Sequence, residues 1–118
     1  MKRKNRTSNR DTTSIDWVTL EDDLCRAARA AARIDGNDDG PSNLDCVALR
    51  LPHVRLARIE AAAKAAGVGV YRAYARVFHV MIPGSHRYQG HVKTKRARAM
   101  AKRLSARGWD ASVQYILD

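Results

Sequence analysis

Hydrophobic positions recur along this chain at two spacings, and each predicts an element. Leu20, Leu24, Ala27, Ala28, Ala31 and Ile34 return every three or four residues, the period of a helix with one buried face. Thr19 stands where a cap is expected, Glu21, Asp22 and Asp23 suit the positive end of the helix dipole, and Gly36 closes the run. From Cys46 to Leu51 the spacing becomes two, with Val47, Leu49 and Leu51 on one face and Cys46, Ala48 and Arg50 on the other, so a short strand stopped by Pro52 is expected. Between His53 and Ala66 the helical period returns at Leu56, Ile59, Ala62 and Ala63, and Gly67 ends it. Thr94 to Arg107 predicts a further helix with Ala97, Met100, Ala101 and Leu104 inward and Gly108 as its stop. Trp109 to Leu117 alternates again, which predicts a half-buried strand with Trp109, Ala111, Val113, Tyr115 and Leu117 on one face.

One segment fits both periods. In residues 70–82 a helix would turn Val70, Tyr74, Val77, Phe78 and Met81 inward, yet the β-branched and aromatic content and the Pro83-Gly84 ending suit a strand. The fold therefore turns on these thirteen residues. Either way the class is α+β: an N-terminal helix, then strand-helix-helix with a C-terminal helix and strand, or else strand-helix-strand-helix-strand forming a mixed sheet.

Composition divides the 118 residues further. Residues 1–13 are polar and basic without periodicity and are expected to be a disordered arm. The N-terminal helix occupies 14–35, the turn-forming Gly36-Asn-Asp-Asp-Gly-Pro-Ser-Asn stretch makes 36–45 a linker, and 46–118 is the main basic domain. The net charge of +10 is distributed as +5 over residues 1–10, −6 over 11–45 and +11 over 46–118. A positive field concentrated on one folded segment calls for a polyanion, and nucleic acid is the abundant one.

The stretch from Cys46 to about Ile82 resembles the ribbon-helix-helix family of DNA-binding repressors and antitoxins. It is carried by Leu49-Arg50-Leu51-Pro52, by the helix bearing Leu56, Ile59 and Ala63, by the Gly67 break, and by a second helix bearing Val70, Tyr74 and Phe78. The resemblance implies a homodimer whose paired strands enter the major groove, with Arg50 as the base reader among Cys46, Ala48 and Arg50. Gly69 stands where that family usually has Ser or Thr, a departure at the phosphate-holding start of the second helix.

Candidate chemistry gathers in the loop from Pro83 to His91 and the helix after it. Tyr88 with His86 or His91 suits stacking on bases, and Arg87, Lys93, Lys95, Arg96, Arg98, Lys102 and Arg103 suit phosphates. Arg55, Arg58, Arg72 and Arg76 complete the predicted contacts. The expected function is a small cytoplasmic DNA-binding regulator that acts without catalysis, with DNA favoured over RNA. Two other readings stand beside it. Gly84-Ser85-His86 followed by Tyr88 is loosely similar to the catalytic segment of HicA-type ribonuclease toxins, implying a metal-independent ribonuclease. The acidic N-terminal helix would suit a protein partner, as in a mobile-element-encoded inhibitor of a nucleic-acid-processing machine, or would fold over the basic unit and compete with nucleic acid.

Several classes receive no support. The Asp35, Asp38, Asp39 cluster lacks the alternation and closing Glu of a calcium loop, and only three acids follow residue 45, too few for two-metal hydrolysis. His86 and His91 make a poor zinc set, Cys25 and Cys46 have no CxxC spacing, and no metal or cofactor is expected. No apolar run is long enough for a membrane span. His53 and His79 are read as structural, and Trp17 and Trp109 as packing anchors.

Overall fold

The computed structural model describes residues 15–35, 45–84 and 90–116. Along them run α1 (Trp17–Ala32), β1 (Cys46–Arg50), α2 (Leu56–Ala65), β2 (Val70–Tyr74), β3 (Val77–Val80), α3 (His91–Ala106) and β4 (Asp110–Gln114). The class is α+β. The strands form one sheet in the order β2-β3-β1-β4, antiparallel at every neighbour. After α1, the order β-α-β-β-α-β makes two interleaved split βαβ units, the ferredoxin-like arrangement.

The ambiguous segment settles as a hairpin. Residues 70–82 form β2 and β3 joined at Ala75-Arg76, so the second helix of the ribbon-helix-helix pattern is absent. The ribbon itself is also unavailable, because β1 already pairs with β3 on one side and β4 on the other. A strand with both edges filled has no backbone groups left for a second chain. The fold thus differs from the ribbon-helix-helix arrangement. The mixed-sheet alternative foresaw a strand here, but as one strand lying beside the C-terminal one; instead β1 lies between β3 and β4.

Strand alternation sorts the sheet into two faces. Val47, Leu49, Phe78 and Val80 point inward and share one hydrophobic cluster with Leu20, Leu24, Ala27 and Ala31 of α1, Ile59 and Ala63 of α2, and Ala97, Met100 and Leu104 of α3. All three helices therefore cover the same face. The N-terminal helix is not set apart from the basic unit, since α1 packs against both α2 and α3. Its cap is Asp16 rather than Thr19: the Asp16 carboxylate accepts from the Thr19 backbone N–H at 3.0 Å and from its hydroxyl at 2.8 Å. These bonds favour the charged form and hold the Asp16 pKa below its ordinary value.

Glycines end the other two helices as their positions predict. Gly67 (φ +77°) and Gly108 (φ +95°) take the left-handed conformation, and the residues after them, Val68 and Trp109, bond back to Ala63 O and Leu104 O in Schellman closures. The C-terminal end of α1 is closed differently. Arg96 of α3 donates to Ala32 O at 3.2 Å and to Ile34 O at 2.8 Å from Nη2 and 3.0 Å from Nε, while its Nη1 reaches Pro83 O at 2.8 Å. A buried cation so placed suits the negative end of the α1 dipole and joins three segments.

Midway along α1, the buried Asp23 carboxylate accepts from Trp109 Nε1 at 2.8 Å and from Arg107 Nε at 3.0 Å. Asp45 does similar work at the start of β1, accepting from the Thr94 hydroxyl at 2.7 Å and the Ile116 N–H at 2.9 Å.

Candidate nucleic-acid interface

A helix advances 100° per residue, so His91, Lys95, Arg98 and Lys102 fall within about 60° of arc and span about 16 Å along α3. All four are exposed. No carboxylate among the described residues lies within 4.0 Å of them; the salt bridges found there are Arg26–Asp22, Arg50–Asp110 and Arg107–Asp23. Tyr115, just after β4, joins this stripe. Its hydroxyl accepts from Arg98 Nε at 3.3 Å, the guanidinium lies 5.9 Å from the ring centroid, and the ring remains 58% exposed. The sequence placed Tyr115 on the buried face of a strand; β4 ends at Gln114, which releases it.

The remaining α3 cations point elsewhere. Lys93 and Arg96 were expected at phosphates, yet both are buried, and Arg96 spends its donors on the three carbonyls described above. On the same helical wheel they stand roughly 200° and 140° from His91, on the side of Met100 and Leu104. Arg103 faces α1, where it lines a cleft of about 470 Å³ with Asp22, Asp23, Arg26 and Arg107. Carboxylates in that cleft offset its positive charge and make it a poor seat for a polyanion.

A second group of predicted contacts gathers where β1 ends and the β2–β3 hairpin turns. Arg50 closes β1 on the outward face of the sheet, exposed and 3.8 Å from Asp110. Arg72 bonds Val54 O at 2.9 Å and lies 5.3 Å over the Phe78 ring. Arg76 occupies the turn with φ +63°, a conformation that glycine or asparagine adopts at lower cost. With His53, Val54, Ala75 and Phe78 these two arginines line a cleft of about 160 Å³. Arg55 is exposed at the start of α2, and Arg58 covers the Trp17 ring at 4.7 Å, a packing role rather than an open charge. His86, Arg87 and Tyr88 lie outside the described residues.

On the outward sheet face, pairing aligns Tyr71 with His79 and Tyr74 with Val77. A bulge between Arg72 and Tyr74 puts both tyrosines on the same face although they are three residues apart. They are 46% and 60% exposed. The Tyr71 hydroxyl lies 3.0 Å from His79 Nδ1, the two rings meet edge-on at 5.2 Å, and His79 Nε2 is buried with no partner. Desolvation lowers the His79 pKa and raises that of Tyr71. Nearby, burial followed by the Asp45 charge pushes the Cys46 thiol up to about 11, which leaves it an inert packing group.

Among the described residues no three His, Cys, Asp or Glu side chains converge as a metal site would require, and no helix is long and apolar enough to cross a membrane. In comparisons with known proteins, no family model, no curated protein and no solved structure matches the chain.

Proposed function

We propose that this chain is a nucleic-acid-binding protein that works by binding rather than catalysis, with the α3 stripe of His91, Lys95, Arg98 and Lys102 as its phosphate contact. The observation that carries this reading is the stripe itself: four basic positions on one exposed arc, without a carboxylate partner among the described residues, beside an exposed tyrosine. A helical face of this kind follows a phosphate backbone and selects charge spacing more than sequence. The DNA-regulator refinement rested on a base-reading ribbon, and β1 has no free edge with which to build one. A symmetric dimer would instead be joined at the outer edges, β2 or β4.

The test is fluorescence anisotropy with a duplex, a single-stranded DNA and an RNA, each at several salt concentrations, with the RNA recovered and run on a gel. Replacing Lys95, Arg98 and Lys102 together by Ala is expected to weaken all three ligands. It should flatten the dependence of log K on log salt by about 2.7 on duplex and about 2 on single strands. Unchanged affinity in the triple variant refutes the stripe, and shortened RNA refutes a purely binding role.

A further inference from the structure

The α3 stripe explains affinity for a backbone, but it leaves unexplained the two exposed tyrosines and the arginine pair at the β2–β3 hairpin. Resting on the nucleic-acid reading, we propose that the outward face of this hairpin is a contact for a single strand. Tyr71 and Tyr74 stack unpaired bases there, and the Arg72–Arg76–His53 cleft, at the hairpin tip on the helix side beside Phe78, takes a phosphate where the strand passes round the tip.

Three observations converge on this surface. The helices all cover the other face of the sheet, so among the described elements none lies over this one. The bulge is what brings Tyr74 onto the face of Tyr71; an unbroken strand would turn it toward the helices. Two exposed aromatic rings on one face of an antiparallel sheet, opposite residues 77 and 79 and so about 7 Å apart along the strand, form a platform on which bases stack whatever their identity. Duplex DNA keeps its base faces inside the stack, so the rings favour an unpaired strand.

The charge around the rings has the matching sign. Arg50 and Arg76 flank the hairpin end, where among the described residues Asp110 is the one carboxylate paired with them. Arg76 is informative because of its backbone: a left-handed turn position is easiest for glycine, and the chain places its longest cation there. Arg72 is held in position by Val54 O and the Phe78 ring, leaving guanidinium edge toward the cleft. A cleft of about 160 Å³ is roomy enough for a phosphate group and its water. Beneath Tyr71, the unpartnered His79 Nε2 is a polar atom that nothing in the described chain satisfies.

The experiment is a set of anisotropy titrations at one moderate salt concentration with a 12-nucleotide oligo(U) and a 12-base-pair duplex. The proteins are the unmodified chain, Tyr74→Ala, Tyr74→Phe, Arg76→Gly, and the triple α3 variant. Tyr74 is 60% exposed, so its replacement should leave the thermal midpoint unmoved. Expected are a loss of about 5- to 150-fold on oligo(U) for Tyr74→Ala, near-full affinity for Tyr74→Phe, a several-fold loss for Arg76→Gly, and unchanged duplex binding for all three. Equal losses on both ligands, or none for Tyr74→Ala while the triple variant weakens both, overturn the inference and leave the α3 reading intact. Failure of the unmodified chain to bind either ligand overturns both.

Discussion

Replacing Arg96 by Met separates a structural cation from a ligand contact. In the folded chain its guanidinium is 5% exposed and meets three carbonyls, two of them at 2.8 Å. Hydrogen bonds from a charged donor contribute roughly 1.5 to 3 kcal/mol each, and a buried acceptor left unmet costs about 1 to 3 kcal/mol. Met keeps much of the apolar volume but supplies no donor, so Ala32 O, Ile34 O and Pro83 O lose the partner that closes α1. Water reaching a helix end offsets part of this, and the expected destabilisation is about 3 to 5 kcal/mol. That is a large share of the 5 to 15 kcal/mol typical of a whole domain. Urea unfolding followed by circular dichroism should show the midpoint falling by about 2 M for an ordinary slope. Lys95→Ala, one residue away and exposed, should shift it by less than about 0.5 kcal/mol. A midpoint within error of the unmodified protein would refute the structural role assigned to Arg96.

The folded-state pKa of His79 lies below the unfolded value near 6.5, so the unfolded chain binds more protons between the two. Its contribution is complete above 6.5, declines as pH falls through 6.5 and levels off below the folded value; His79→Phe should flatten the unfolding midpoint between pH 7.5 and 5.5, and an equal slope in both proteins sinks the assignment. Cys46 is fully buried with its thiol raised to about 11, whereas Cys25 is partly exposed, so a thiol reagent at pH 8 should label one cysteine in the native protein and two in urea. Rapid labelling of Cys46 without unfolding would contradict its burial. Asp23→Asn should lower stability by about 2 kcal/mol or more, because Arg107 loses its ion pair and Trp109 its charged acceptor. Tryptophan fluorescence during denaturation would read the change.

The fold was legible wherever one apolar face repeated at a single period. Leu20, Leu24, Ala27 and Ala31 mark α1, Val47 and Leu49 mark β1, and Ala97, Met100 and Leu104 mark α3, and each is buried as its spacing requires. The hairpin was not legible from period alone, since a bulge breaks the alternation and the four residues of β3 are buried on both faces. Its turn signal was weak as well: Ala75 and Arg76 are not turn formers, and Arg76 adopts its left-handed conformation under tertiary constraint, with its carbonyl held by Leu51 N–H.

For the candidate interface, composition identified the right segment and overcounted the contacts. The inward arc assigned to α3 already contained Lys93 and Arg96, so their burial followed from a wheel on which charge had been given priority over position. Tyr115 was missed because β4 stops one residue short of it, and Tyr71 and Tyr74 because an exposed aromatic on a strand leaves the same alternation as a buried one. Only the pairing register separates the two cases.

The bond from Trp109 to Asp23 spans 86 residues, so α1 leaves the ribosome well before its main partner, α3. At ordinary synthesis rates the interval between these two residues is roughly 4 to 17 s. Throughout it the apolar side of α1 has α2 but not α3 to pack against. Closing a loop of that length costs about 4 kcal/mol of chain entropy beyond a constant, repaid only when the last helix docks. Folding should therefore be a single late event with a slow, topology-limited rate. Chains stalled before residue 109 should be recognised by chaperones or proteases, whereas chains in which α3 has docked on α1 should not.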